Sequence, residues 1–444
     1  MYSISVPDDK HKYHVGELAK MFLPEDSFCI YVWQPDAELV IGAGGSYNDS
    51  KRRAYRFFKK ITGRGLDWGI LTGVRPGKLY NELAAKGEDP AKVLKEDYFV
   101  SDAKIDLLRR VSESQKRVPM DRDPKAVGLY IGIPFCPTRC QYCSFTSNRY
   151  ERSASDSYLQ ALLKEMRAVR RIMDANGQRT ESIYIGGGTP TSLEEDQFGL
   201  LLENVRELFA HPALAEFTVE GGRPETITEG KLRLMLEHGA RRVSINPQSM
   251  NQRTLDLIGR LHSPEDIRKA FALAKDAGVP VINADLIAGL PEETPELFQN
   301  SLSEMISLGA SNITVHTLAV KKASRLIEED KSIALRQADN VRAMLAEADR
   351  QLSAAGYEPY YLYRQKHMAG NFENVGWCLP GTASLYNIRI MEEDQTIIAM
   401  GAGGISKVYY PAENRLERVP NVSNYQIYIE RIDEMIARKE AGIE

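Results

Sequence analysis

The sequence predicts an α/β fold: a partial (βα)6 barrel, preceded by a smaller N-terminal α+β domain and followed by a C-terminal α/β extension. Three observations carry this reading. The chain has 444 residues, enough for two or three domains. From Ala126 onward, short apolar segments rich in β-branched residues alternate with helical patterns, the texture of a parallel sheet covered by helices. Each strand segment is followed by a distinctive cluster, and such folds place ligand chemistry at the carboxyl ends of strands. The expected divisions are residues 1–125, 126–322 and 323–444.

Composition removes several classes. Hydrophobic residues make up 43% and charged residues 27%, which argues against general disorder. No apolar run approaches the ~20 residues needed to span a bilayer, so no membrane span is expected. Met1–Asp8 lacks the basic and apolar regions of a signal peptide, and the expected location is the cytoplasm. With 57 basic against 61 acidic side chains, nothing points to nucleic acid. Five cysteines are too few for a disulfide scaffold.

In the first region, Phe28–Trp33 and Glu38–Ile41 are strand candidates divided by Gln34-Pro35-Asp36. Lys51–Lys60 is rich in basic and aromatic residues. Ala54, Phe57, Phe58 and Ile61 nevertheless fall at i, i+3, i+4 and i+7, so a docked helix with a solvated basic face is favoured over a nucleic-acid site. A helix is expected just after Pro76, and another from Asp102 to about Lys116 capped by Ser101. Val118–Lys125 has the composition of a linker.

The barrel strands are expected at Val127–Ile133, Ser182–Ile185, Glu216–Val219, Arg242–Ile245, Pro280–Ile287 and Asn312–Thr317. Helices are expected near Asp156–Met173, Leu193–Phe209, Glu229–Glu237, Pro264–Ala277 and Pro295–Leu308. In the third region, Asp339–Ala354 is the clearest helix. Gly401–Gly404 is expected as a tight turn between short strands, and Ser423–Lys439 as a terminal helix.

Three of the five cysteines, Cys136, Cys140 and Cys143, share the loop after the first barrel strand in a C-x3-C-x2-C spacing. Three thiolates on a short loop can hold three corners of an iron–sulfur cubane. The competing reading is a set of buried cysteines or a zinc site completed by a distant histidine. Spacing, loop position and strand context agree on the cluster. Cys29 and Cys378 stand apart. A missing fourth ligand would leave one iron open to a small molecule.

This cysteine loop, with Gly186-Gly187-Gly188-Thr189-Pro190 after the next strand, resembles the radical S-adenosylmethionine superfamily. The resemblance implies a [4Fe–4S] cluster held by Cys136, Cys140 and Cys143. It also implies S-adenosyl-L-methionine on the open iron, cleaved on reduction to a 5'-deoxyadenosyl radical. Over Gly128–Lys321 the sequence is similar to oxygen-independent coproporphyrinogen III dehydrogenase (oxidase) and its relatives. That likeness assigns cofactor contacts to Tyr130, Tyr142, Gly187, Gly188, Thr189, Glu220, Gln248, Arg260, Asp285 and Ala319. Glycines let backbone approach closely, and a carboxylate can accept ribose hydroxyls or an ammonium group. Single histidines such as His262, His316 and His367 are expected in the core or on the surface, not as ligands.

Trp68–Lys78 and the long third region resemble a longer branch of that family. The implied activity belongs to anaerobic heme biosynthesis: oxidative decarboxylation of two propionates of coproporphyrinogen III to vinyls, giving protoporphyrinogen IX. The implied partners are a tetrapyrrole substrate and an electron donor such as flavodoxin or ferredoxin. A substrate with four carboxylates needs cationic anchors, and Arg75, Lys78, Arg364 and Lys366 are candidates by position. Two features depart from the pattern. Phe145 stands where the best-characterised dehydrogenases carry another cysteine. The stretch Tyr386–Met391 lacks the His and Trp of the motif that heme-chaperone relatives carry. A heme-binding or heme-delivery protein, or a radical methyltransferase or other tetrapyrrole-modifying enzyme, are the alternatives.

Overall fold

The computed structural model describes residues 1–73, 75–143, 147–319, 337–365 and 372–443. Its N-terminal part holds a small parallel sheet of β1 (Tyr2–Val6), β2 (Phe28–Val32) and β3 (Leu39–Val40), in the order β2-β1-β3. Sequence reasoning missed the central strand β1 and the helix Asp9–Ala19 that follows it. Gly16, two histidines and Val15 make that helix a poor one by propensity. Its start is nonetheless fixed by Asp8, whose carboxylate accepts the His11 N–H at 2.8 Å. β2 ends one residue early because Trp33 turns to φ +58°, outside strand geometry.

The helix Tyr47–Thr62 confirms the amphipathic reading. Ala54 and Phe58 are fully buried, Phe57 and Ile61 pack at the edge of the same cluster, and Arg53, Arg56, Lys59 and Lys60 face outward. Pro76 opens the helix Pro76–Ala85 at its first turn, where its missing N–H costs nothing. The helix Asp102–Lys116 lies where expected, but Ser101 does not cap it; its hydroxyl is buried and makes no hydrogen bond. Residues 118–125 form no helix or strand. They are pinned to the main sheet by Arg179, whose guanidinium pairs with Asp121 and Asp123 at 2.5 and 2.6 Å.

Among the described residues the main sheet has eleven strands. β4 (Ala126–Ile133) begins it, followed along the chain by a two-residue pair, β5 (Phe135–Cys136) and β6 (Asn148–Arg149), that lies outside it. β7 (Arg179–Gly187), β8 (Glu216–Gly222), β9 (Arg242–Ile245), β10 (Val281–Ala288) and β11 (Asn312–Thr317) continue it in chain order, all parallel. These six strands match the expected six. Helices Arg152–Ala175, Glu195–Phe209, Glu229–Glu237, Pro264–Asp276 and Pro295–Ser307 make the crossovers.

The third region extends the sheet at both ends. Beyond β11 lie β13 (Glu373–Cys378) and β12 (Glu358–Arg364), both joined antiparallel. Beyond β4 lie β14 (Ile397–Met400), parallel to it, then β15 (Ile405–Tyr410) and β16 (Arg415–Pro420), antiparallel. The sheet is open, with β12 and β16 at its edges, so the barrel is partial. Gly401–Gly404 makes the turn between β14 and β15, as expected. The terminal helix is two helices, Tyr425–Glu430 and Ile432–Gly442, broken at Arg431.

Along the six parallel strands the two faces differ in kind. The outer residues, such as Val127, Leu129, Ile131 and Ile133 on β4, are buried under the helices. The inner residues are largely polar: Tyr130, Ser182, Tyr184, Glu216, Thr218, Glu220, Arg242, Ser244, Asp285, Thr314 and His316. This alternation has the period of a strand with one apolar face. The interior of the sheet, its lumen, is therefore lined mainly by polar and tyrosine side chains, unlike its apolar outer face.

The terminal helices dock through a buried ion pair. Lys439 Nζ lies 2.7 Å from Glu165, and both side chains are fully buried. Glu165 also accepts the N–H of Gly401, the amide of Asn421 and the hydroxyl of Tyr428. Replacing Lys439 with Met is expected to destabilise the fold by about 3 kcal/mol, because it strands a buried carboxylate. Urea unfolding of the variant against the wild type checks this. Among the described residues, no helix is long and apolar enough to cross a membrane.

Candidate active site at the strand carboxyl ends

The cysteine loop is fastened at several points. The pairing of Phe135 with Asn148 and Cys136 with Arg149 closes its neck. Gln141 N–H donates to the Ile258 carbonyl at 3.0 Å, and Arg223 donates to the Thr138 carbonyl and hydroxyl at 3.0 and 2.8 Å. Tyr142 packs against Leu255, Ile258, Ile287, Leu290 and Leu318, and its hydroxyl accepts from Arg260 at 3.1 Å. Cys140 is buried, while Cys136 and Cys143 are half-buried. Burial pushes the Cys136 thiol up; the Thr189 hydroxyl, which donates to Sγ at 3.5 Å, and the Arg223 charge oppose that.

The glycine segment runs directly beside this loop. Gly188 N–H donates to Ile133 O and Thr189 N–H to Phe135 O, both at 2.7 Å. A Cβ on Gly188 would lie 2.5 Å from the Phe135 carbonyl oxygen and 2.9 Å from Cys136 Sγ. Only glycine fits there. Gly187 holds φ +114°, and a Cβ on Gly186 would lie 2.8 Å from the Glu220 carboxylate. The Gly-Gly-Gly-Thr strip thus joins the cysteines to Glu220.

Glu220 faces the lumen near Asp285. Burial, then the charge of Asp285, pushes its pKa from 4.5 up to about 8, although the Gly187 N–H, Arg260 and the Tyr184 hydroxyl pull it down. Arg260 is buried, donates to the Asn246 carbonyl at 2.5 Å, and keeps its Nε without a partner. Gln248 adopts φ +69° and bridges to β10: its N–H donates to Asp285 O, and its own carbonyl accepts from Ile287. Its side-chain Oε1 is buried without a hydrogen bond. Left-handed backbone at a non-glycine residue, beside an orphaned buried acceptor, is local strain of the kind that clusters at ligand sites. Ala319 lies two residues past the end of β11, next to Leu318, whose N–H donates to Ala288 O. The expected cofactor contacts therefore lie in the carboxyl halves of the parallel strands or in the segments just beyond them.

The structure adds residues that sequence reasoning missed. Tyr184 and Tyr386 stack inside the lumen on Tyr130, which the sequence had already singled out; the rings of Tyr184 and Tyr386 are 4.7 Å apart, and Tyr130 lies 6.3 Å from Tyr184. Tyr386 comes from the third region. The start of its helix, Leu385–Glu392, plugs the lumen floor: Glu216 accepts the Ser384 hydroxyl and the Leu385 N–H, and Arg242 donates to Thr382 O and Ala383 O. His316, expected as a core or surface residue, stands on the rim with Nε2 3.6 Å from Asp285 and Nδ1 3.3 Å from the Tyr363 hydroxyl. His262 is buried beside Glu225 at 3.2 Å. The polar–apolar alternation of the strands was a sequence signal for the lumen residues. Nothing local marks Tyr386, because it reaches the lumen by chain reversal.

Two of the cationic anchor candidates already have protein partners. Arg75 pairs with Glu393 at 2.8 Å, and Arg364 donates to Leu71 O at 2.7 Å beneath the Trp68 ring, where burial lowers its pKa to about 10. Lys78 neighbours Glu392, at the opposite end of the helix that carries Tyr386. Lys366, Lys321, His367 and Phe145 lie outside the described residues. Cys378 is buried with its thiol pushed up to about 12, mainly by desolvation, and Cys29 lies 3.3 Å from the Met1 sulfur. Neither is near the loop. Among the described residues no three metal-binding side chains converge on a single point. Cubane thiolates bind three different irons, so they do not share one.

A family model for the radical SAM superfamily matches residues 130–305. The oxygen-independent coproporphyrinogen-III oxidase-like protein HemZ of Bacillus subtilis is 40% identical over 380 residues, covering 84% of this chain and 76% of that protein. The chain belongs to the radical SAM superfamily. Within it, the chain is a homologue of the coproporphyrinogen oxidase-like proteins. The heme chaperone HemW of Bacillus subtilis is 31% identical over 275 residues, covering 62% of this chain and 69% of that one. Among solved structures, coproporphyrinogen III oxidase (HemN) from Escherichia coli aligns with a TM-score of 0.56 at 24% identity, over 71% of each chain, a likeness of fold. The cofactors of radical SAM proteins are a [4Fe–4S] cluster and S-adenosylmethionine. The site fits both. Three thiols share one fastened loop, the glycine strip runs so close to Cys136 that a Cβ on Gly188 would meet its Sγ at 2.9 Å, and Gln248 and Arg260 carry buried polar atoms without partners.

Proposed function

We propose that the protein oxidatively decarboxylates two propionates of coproporphyrinogen III to vinyls, giving protoporphyrinogen IX in anaerobic heme biosynthesis; each propionate loses one hydrogen atom, one carbon dioxide and one further electron, which passes to an external one-electron acceptor. The observation that carries this reading is the single rim that combines the cysteine loop, the glycine strip and the acid pair Glu220–Asp285 above a polar lumen. The Bacillus subtilis relative's name supports the substrate class. When bound, the cluster and S-adenosylmethionine supply hydrogen-atom abstraction.

In this reading, Cys136, Cys140 and Cys143 hold three irons. The backbone of Gly187, Gly188 and Thr189 would hold the methionine end of S-adenosylmethionine. Glu220 and Asp285 accept its ammonium group and ribose hydroxyls. Tyr130 and Tyr142 flank the cofactor, and Gln248, Arg260 and Ala319 complete its contacts. Tyr184 and Tyr386 close the lumen below and exclude water. His316, held between Asp285 and Tyr363, is placed to face a substrate carboxylate. The division at residues 125 and 322 separates the catalytic barrel from its covering parts. The electron comes from a flavodoxin or ferredoxin in the cytoplasm, where thiols stay reduced.

The HemW relatives favour one second reading, a heme-binding or heme-delivery protein. Anaerobic reconstitution with iron and sulfide, followed by reductant, S-adenosylmethionine and coproporphyrinogen III, separates the two. The expected products are 5'-deoxyadenosine and vinyl-bearing porphyrinogens. Stoichiometric heme binding with no decarboxylation would select the chaperone reading. S-adenosylhomocysteine or a methylated product would select a methyltransferase.

A further inference from the structure

Arg223 follows the last residue of β8 and points back under the cysteine loop. Its side chain is only 3% exposed. One guanidinium nitrogen donates to both the carbonyl and the hydroxyl of Thr138, which lies between Cys136 and Cys140. The other terminal nitrogen has no hydrogen bond. Its ionic neighbour is Glu225 at 3.6 Å, beyond hydrogen-bond reach, and Glu225 also stands 3.2 Å from His262. A buried cation therefore grips the loop with one arm and keeps a donor in reserve on the other. Such a donor is costly to leave unmade.

We propose that Arg223 is a positioning residue that orders the cysteine loop and sets the reduction potential of the cluster held there. The proposal rests on the reading that Cys136, Cys140 and Cys143 hold that cluster. Reduction adds one negative charge at the loop. A fixed positive charge in a low-dielectric setting favours the more negative state, so Arg223 raises the midpoint potential. Outer-shell hydrogen bonds and charges tune a metal site in the same way. Glu225 partly offsets that charge. The two residues therefore act on the potential in opposite directions.

The test is an EPR-monitored redox titration of the reconstituted full-length protein, with iron and sulfide content measured alongside. Arg223→Gln should lower the midpoint potential, Arg223→Lys should hold it near the wild-type value, and Glu225→Gln should raise it. If Arg223→Gln does not fold, Glu225→Gln and Arg223→Lys still decide the question. Loaded Arg223→Gln and Glu225→Gln proteins whose potentials match the wild type would overturn the proposal while leaving the cluster reading intact. A wild-type protein that assembles no cluster would overturn both.

Discussion

Replacing Gly188 with alanine is expected to empty the site. The new methyl would sit 2.5 Å from the Phe135 carbonyl oxygen and 2.9 Å from Cys136 Sγ. The first obstacle is backbone, held by the Thr189 N–H bond to that same carbonyl and by the β5–β6 pairing, so it cannot swing aside as a side-chain tip would. Either Cys136 moves out of register with Cys140 and Cys143, or the glycine strip moves away from Glu220. Both outcomes damage the cofactor site while the strands and their outer packing remain. The variant should keep its fold by circular dichroism and lose S-adenosylmethionine affinity by at least about tenfold, which is about 1.4 kcal/mol. Iron loading should fall with it. Isothermal titration and iron analysis on anaerobically prepared protein give both readings, and near-wild-type values for both would show that the strip is only a turn.

The second large effect concerns pH. Glu220 titrates near 4.5 in an unfolded chain and is pushed up to about 8 in the fold, by burial and then by Asp285. Between these values the folded state binds the extra proton. The penalty is absent below about pH 4.5, grows as pH rises, and is complete above about pH 8. Cofactor-free protein should therefore lose stability across that window, by roughly 3 kcal/mol from Glu220, less than the full shift gives because the carboxylate is not fully buried. Glu293, pushed up to about 7 chiefly by burial, adds a slope of the same sign. Glu220→Gln should reduce the slope without abolishing it. The ionised carboxylate is the form that attracts an ammonium group, so S-adenosylmethionine affinity should rise with pH in the wild type and stay flatter in the variant. Unfolding curves and binding isotherms across the range measure the two effects. A pH slope unchanged by Glu220→Gln would place the responsible group elsewhere.

Much of this site was legible in the sequence because its parts are local. The cysteine spacing, the triple glycine and Glu220 each sit within a few residues of a strand end, and strand periodicity located those ends to within three residues. The six parallel strands were likewise found from apolar runs that the helices bury. What escaped was non-local. β12 to β16 join the barrel's own sheet at both edges, and nothing in those segments announces which strand they will pair with. Tyr386 reaches the lumen only because Glu216 and Arg242 hold the start of its helix at the floor. Arg364 had the right charge for a substrate anchor, but its neighbours across the fold, Trp68 and Leu71, claim it. β1 was missed because five residues of mixed polarity gain their meaning only as the centre of a three-stranded sheet.

The central claim is that Cys136, Cys140 and Cys143 hold a cluster whose fourth iron is open to S-adenosylmethionine. The most direct measurement is the EPR spectrum of the dithionite-reduced, reconstituted protein with and without S-adenosylmethionine, beside Cys140→Ala. The wild type should give a reduced [4Fe–4S] signal that changes shape when S-adenosylmethionine is added, and Cys140→Ala should give none. A signal indifferent to S-adenosylmethionine, or one that survives in Cys140→Ala, would contradict the three-cysteine site.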